Sequence, residues 1–104
     1  MNYQLVIQFS LVDAGVEDFE RLMMLENELR VVLREKHMVD GHDLGAEKMN
    51  IFINTDDPNE AFTLAKDVLI EADLKTILVA YRDFESEEYV FIWPEKFSGE
   101  FRIK

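Results

Sequence analysis

The chain predicts an α+β fold in which two helices pack on one face of a mostly antiparallel sheet. The prediction comes from two stretches of period-2 apolar alternation, a long stretch of helical apolar spacing between them, and a helix-start signal at Pro58. In the first alternating stretch, Tyr3, Leu5, Ile7, Phe9 and Leu11 share one face. Gln4, Gln8 and Ser10 share the other, and only Val6 breaks the polarity, so this is a half-buried strand. An Asp13-Ala14-Gly15 turn follows. Phe19, Leu22, Leu25, Leu29, Val32 and Leu33 then recur at helical spacing and place a helix over about Val16 to Lys36.

Gly41 and Gly45 interrupt the next segment, which reads as a short edge strand near Val39 to Leu44 turning through Gly45 to Glu47. Met49, Ile51 and Ile53 alternate with Asn50, Phe52 and Asn54, so Lys48 to Asn54 is a strand. Asp57 can accept a hydrogen bond from the first helical turn, Pro58 has its φ already set for the first helical position, and Glu60 lies three residues beyond the cap. A helix therefore starts at Pro58, and Ala61, Phe62, Ala65, Val68, Leu69 and Ala72 give it one continuous apolar stripe. Its alanines allow a close approach to the sheet.

Thr76 to Phe84 and Glu88 to Trp93 read as two more strands joined by an acidic turn through Glu85, Ser86 and Glu87. Pro94 ends the last strand. Phe97, Phe101 and Ile103 keep the tail apolar enough to pack back. Met23, Met24, Met38 and Met49 read as core filler. Right-handed crossovers and pairing of neighbouring strands then favour a ferredoxin-like β-α-β-β-α-β sandwich, residues 1–104 forming one domain, with an extra C-terminal strand on one edge. The polar alternates Gln4, Val6, Gln8, Asn50, Phe52 and Asn54 would line an uncovered face.

Bulk composition narrows the function classes. The chain has 22 acidic and 11 basic residues and a net charge of −11, a field that repels nucleic-acid backbones and anionic membranes and speeds encounter with basic partners. RNA binding on the open face is rejected: Phe52 is its sole aromatic in the third strand, and the charge has the wrong sign. With no cysteine, disulfides and thiolate metal sites are excluded, which is compatible with a cytoplasmic location. No apolar run approaches the length needed to cross a bilayer.

Three constellations invite a functional reading. His42 lies between Asp40 and Asp43, with Glu47 and His37 nearby, the residue types of a general base or the start of a metal site. The two histidines are five apart rather than four, and no phosphate loop or nucleophile elbow supports them, so turn chemistry for the aspartates and a structural His42 are preferred, with no catalytic residue, metal or cofactor expected. Asp56 and Asp57 resemble an acidic pair but are better explained by capping and by the positive end of the helix. The final hairpin gathers Asp83, Glu85, Glu87 and Glu88 beside Tyr89, Phe91 and Trp93, which makes either a charged rim next to aromatic anchors or, as is preferred, a solvated turn whose aromatics are buried in the core.

The runs Val39-Asp40-Gly41-His42-Asp43, Asn50-Ile51-Phe52-Ile53 and Thr55-Asp56-Asp57-Pro58 resemble a group of small, uncharacterised bacterial α/β proteins sharing a VDGH…NIFI-TDDP pattern. That resemblance implies a bacterial origin and a compact α/β domain, and it carries over no catalytic residues. In size and charge the chain is also similar to bacterial toxin-immunity proteins. The leading expectation is a non-catalytic protein that engages a basic partner, such as a nuclease toxin, through Asp83, Glu85, Glu87 and Glu88, with Asp56 as a further contact. The alternative is a ferredoxin-like regulatory domain, commonly a homodimer, holding a small ligand near Gly41 and His42. A third reading makes His42 a catalytic base with Asp40 or Asp43.

Overall fold

A computed structural model describes residues 1–11, 15–34 and 36–94. They form a five-stranded antiparallel sheet and three helices: β1 (Tyr3–Ser10), α1 (Val16–Leu33), β2 (Met38–Leu44), β3 (Lys48–Thr55), α2 (Pro58–Ala65), α3 (Glu71–Leu74), β4 (Leu78–Asp83) and β5 (Val90–Trp93). The strand order is β2-β3-β1-β4-β5, so the last hairpin extends one edge of the sheet. The Asp13-Ala14 part of the first turn and the tail residues Phe97, Phe101 and Ile103 lie outside the described residues.

Strand alternation places the core. Leu5, Ile7 and Phe9 of β1, Met49, Ile51 and Ile53 of β3 and Val79 of β4 point to one side, where Leu22, Leu25, Leu29 and Leu33 of α1 and Ala61, Phe62 and Ala65 of α2 cover them. Each such Leu or Ile, fully removed from water, contributes on the order of 1.5–3 kcal/mol. Ala61 and Ala65 are completely buried, because a β-carbon is all that fits where α2 lies against the sheet.

The opposite face is not uncovered as expected. Val6, Gln8 and Asn50 are buried there. Gln8 and Asn50 face each other across the β1–β3 ladder, and the Gln8 amide donates to Asn50 Oδ1 at 3.0 Å. Val6 and Ala80 form a second, smaller apolar cluster with Phe52, Leu78, Tyr89 and Phe91 against it. Two of the four methionines are not core filler either. Met24 is 64% exposed on the outer face of α1 and Met38 is 50% exposed opposite Asn54 at the sheet edge.

Several element boundaries differ from the sequence expectation, β5 for instance starting at Val90 rather than Glu88, and three have a visible cause. Helix α1 stops at Leu33, short of Lys36, because the Leu33 carbonyl accepts the amides of both Lys36 and His37 and turns the chain into β2. The second helix, expected to run to Ala72, is split. Its first part ends at Ala65, Ile70 is extended, and Asp73 Oδ2 accepts the Ile70 amide at 3.2 Å to start α3. Strand β4 begins at Leu78 rather than Thr76, since the amides of Thr76 and Ile77 are spent on the Asp73 carbonyl at 3.0 and 2.9 Å.

Candidate functional site

The residues expected to contact a partner are scattered in sequence, and the ladder register brings them to one end of the sheet. Tyr3 pairs with Thr55 on one side and with Asp83 on the other. One residue further out, Asn2 donates its amide to Asp56 Oδ1 at 2.9 Å and its carbonyl accepts the Phe84 amide at 3.1 Å. Asp56 and the Asp83 end of β4 thus flank the same short segment of β1, roughly two strand spacings or about 10 Å apart. Because β5 enters at Val90 opposite Tyr81, Glu87 and Glu88 precede it at that end too.

Local chemistry shapes the hairpin loop. Asp83 Oδ1 accepts the Glu85 amide at 2.8 Å, Asp83 O accepts the Ser86 amide at 2.9 Å, and Ser86 Oγ accepts the Glu88 amide at 3.1 Å. Arg82 donates Nε to Gln4 at 3.1 Å and Nη1 to the Ser86 carbonyl at 3.1 Å, so its charge is used to hold the loop. Asp83, Glu85, Glu87 and Glu88 are all exposed, and among the described residues no cation pairs with them. Asp56 is 68% exposed and lies 4.0 Å from the Met1 ammonium.

The hairpin aromatics pack inward rather than offering an exposed ring. Trp93 points to the helix side, where its Nε1–H donates to the Leu74 carbonyl at 2.7 Å, and Tyr89 and Phe91 pack on the second cluster. Phe84 is the exposed ring. It is 42% exposed, sits between Asp83 and Glu85, and has the Arg82 guanidinium 5.5 Å from its ring centroid. The sequence reading places Phe84 inside the strand; β4 ends at Asp83, so alternation no longer forces the ring inward.

His42 is not partnered by its sequence neighbours. A β-bulge between Val39 and Gly41, with Gly41 at φ 150°, puts Val39 and His42 on the helix face although they are three residues apart. The carboxylate that meets His42 is Glu26 of α1, at 2.9 Å from Nδ1, and Arg30 binds the other oxygen of Glu26 at 3.3 Å. Gly41 and Asp43 occupy the opposite face, opposite Phe52 and Asn50.

The other histidine forms a network that sequence reasoning did not anticipate. His37, whose side chain is 2% exposed, lies 2.6 Å from Thr55 Oγ1 through Nδ1 and 3.3 Å from Glu60 through Nε2. This order resembles a hydroxyl–imidazole–carboxylate relay, but Thr55 is fully buried and no substrate can reach its oxygen. Among the described residues there is no group of three or more His, Cys, Asp or Glu placed to hold a metal ion, and no helix is long and apolar enough to cross a membrane. No family model matches the chain, and no curated protein or solved structure matches it.

Proposed function

We propose that this chain is a non-catalytic, acidic protein-binding module, and that its partner is a basic protein of the kind a nuclease toxin represents, which it neutralises as an immunity protein. The supporting observation is the end of the sheet built by Asp56, Asp83, Glu85, Glu87 and Glu88 around the exposed ring of Phe84. Exposed carboxylates around an apolar anchor, four of them without a cation partner among the described residues, suit a partner with a basic cleft: the charges steer encounter, and the ring supplies contact area once water is expelled. The strand order, with both long helices on one face, is read here as ferredoxin-like with an added edge strand.

The test is capture from an extract of the source cells on immobilised wild type beside the D83A/E85A/E87A/E88A variant. A basic protein held by the wild type, released by salt and lost by the variant supports the reading. Equal retention by the variant removes this site, and recovery of no basic protein rejects the function. With a purified partner, the four substitutions should slow association by about tenfold or more at low salt, and Phe84→Ala should mainly speed dissociation.

A further inference from the structure

A second surface of the molecule has the opposite chemistry. Helices α1 and α2 cover the β2–β1 side of the sheet, which leaves the helix-side face of β4 and β5 to form the floor of a groove whose wall is α2. The groove has a volume of about 400 Å³, within the range of small-molecule sites. Tyr81 and Ile92 contribute to its floor, and Asn59, Phe62 and Lys66, which recur at helical spacing, stand along its wall. One end is closed by Trp93, whose indole is fixed by its hydrogen bond to the Leu74 carbonyl at the end of α3.

Lys66 gives this groove its character. Its Nζ lies 4.8 Å from the ring centroid of Phe62 and 5.1 Å from that of Trp93, and the two rings are 6.0 Å apart at 52°. Arg21, Arg30, Lys36 and Lys75 are each paired with a carboxylate. Among the described residues, Lys66 has none within ion-pair distance, despite a twofold excess of acids in the chain. Cation–π contact positions the ammonium without neutralising it, so its charge is available to an anion. Long-range repulsion from the net negative charge opposes such a ligand, but beyond roughly 8 Å it is screened at physiological salt, whereas contact with Lys66 is not.

We infer that the α2–β5 groove binds a small carboxylate that carries an aryl ring, the ring lying against Trp93 and Tyr81 and the carboxylate paired with Lys66. This site shares no residue with the acidic end, and the inference stands whether or not a basic protein partner exists.

Trp93 is the sole tryptophan of the chain, so its emission reports on this groove alone. The probe is 3-phenylpropionate, titrated into wild type and Lys66→Met, with the neutral 3-phenylpropanamide as the control. Methionine retains an unbranched apolar stem at an exposed helical position and removes only the charge. The expected result is a saturable change in Trp93 emission for the acid, with binding at least about fivefold weaker for the amide and for the acid on Lys66→Met. No saturable change up to the solubility of the probe overturns the inference, as does equal affinity for acid and amide or an unchanged affinity in the variant.

Discussion

Thr55 Oγ1 accepts the Asp57 amide at 2.9 Å and lies 2.6 Å from Nδ1 of His37. Nε2–H of His37 then donates to Glu60, whose own amide donates to Asp57 Oδ1 at 3.1 Å. The ring of bonds ties the start of β2, the end of β3 and the first turn of α2. Removing the imidazole takes a hydrogen-bond partner from a fully buried hydroxyl and opens a cavity. His37→Ala should therefore lower unfolding stability by about 2–3 kcal/mol. His42 differs: its side chain is 34% exposed and Glu26 keeps Arg30 when the ring is removed, so His42→Ala should cost less than about 1 kcal/mol. Urea unfolding of the two variants side by side checks the ranking, and an equal or reversed order would refute this account. Sequence reading singles out His42 and not His37, because flanking aspartates are visible in one dimension and Thr55 and Glu60 are not.

Among the elements, the split of the second helix has the clearest cause. Nothing in the stripe from Ala61 to Leu69 calls for a break, and the break is instead set from outside by Arg21 of α1. Its guanidinium grips Asp73 with two bonds of 2.8 and 3.2 Å, while the same carboxylate caps Ile70. The Asp73 hydrogen bond raises the pKa of Arg21 above its ordinary value, so the guanidinium stays charged across the accessible pH range. Asp73→Ala removes a helix cap and a half-exposed ion pair together. It should cost about 2 kcal/mol and selectively lower amide protection from Val68 to Ile77. Hydrogen exchange measures this, and uniform loss of protection over the whole chain would contradict a local role. Asp73→Asn, which keeps an oxygen for the cap, should recover part of the loss. Helix α1 and strands β1 and β3 needed no such information, since their apolar periods alone specified them.

For the whole molecule, the charge of −11 is the governing quantity. Like charges about 10 Å apart repel by roughly 0.4 kcal/mol in water, and salt screens most of that. The carboxylates gathered at one end of the sheet should make this sensitivity large. Raising salt from about 10 mM to about 500 mM, where the Debye length falls well below that spacing, should raise Tm by a few degrees. The D83A/E85A/E87A/E88A variant should show a smaller rise, and calorimetry of both proteins compares them. A Tm that falls with salt would mean that ion pairs such as Arg21–Asp73 outweigh the repulsion. The same gathering of charge that burdens the folded state is what a basic partner would relieve on binding.

Periodicity within a dozen residues determined most of the element list, the helix-side faces of β1 and β3, the helix start at Asp57-Pro58 and the acidic final hairpin. These follow from local geometry, in which a period of two or of 3.6 is written directly into the residue order. The tertiary structure decided which carboxylate meets which histidine, where the second helix breaks, that Phe84 rather than Trp93 is the exposed ring, and that Asp56 joins Asp83 at one end of the sheet. Each of these depends on strand register or on a partner many residues away. A bulge of one residue at Gly41 or one ion pair to Asp73 redirects side chains without leaving a trace in the local pattern.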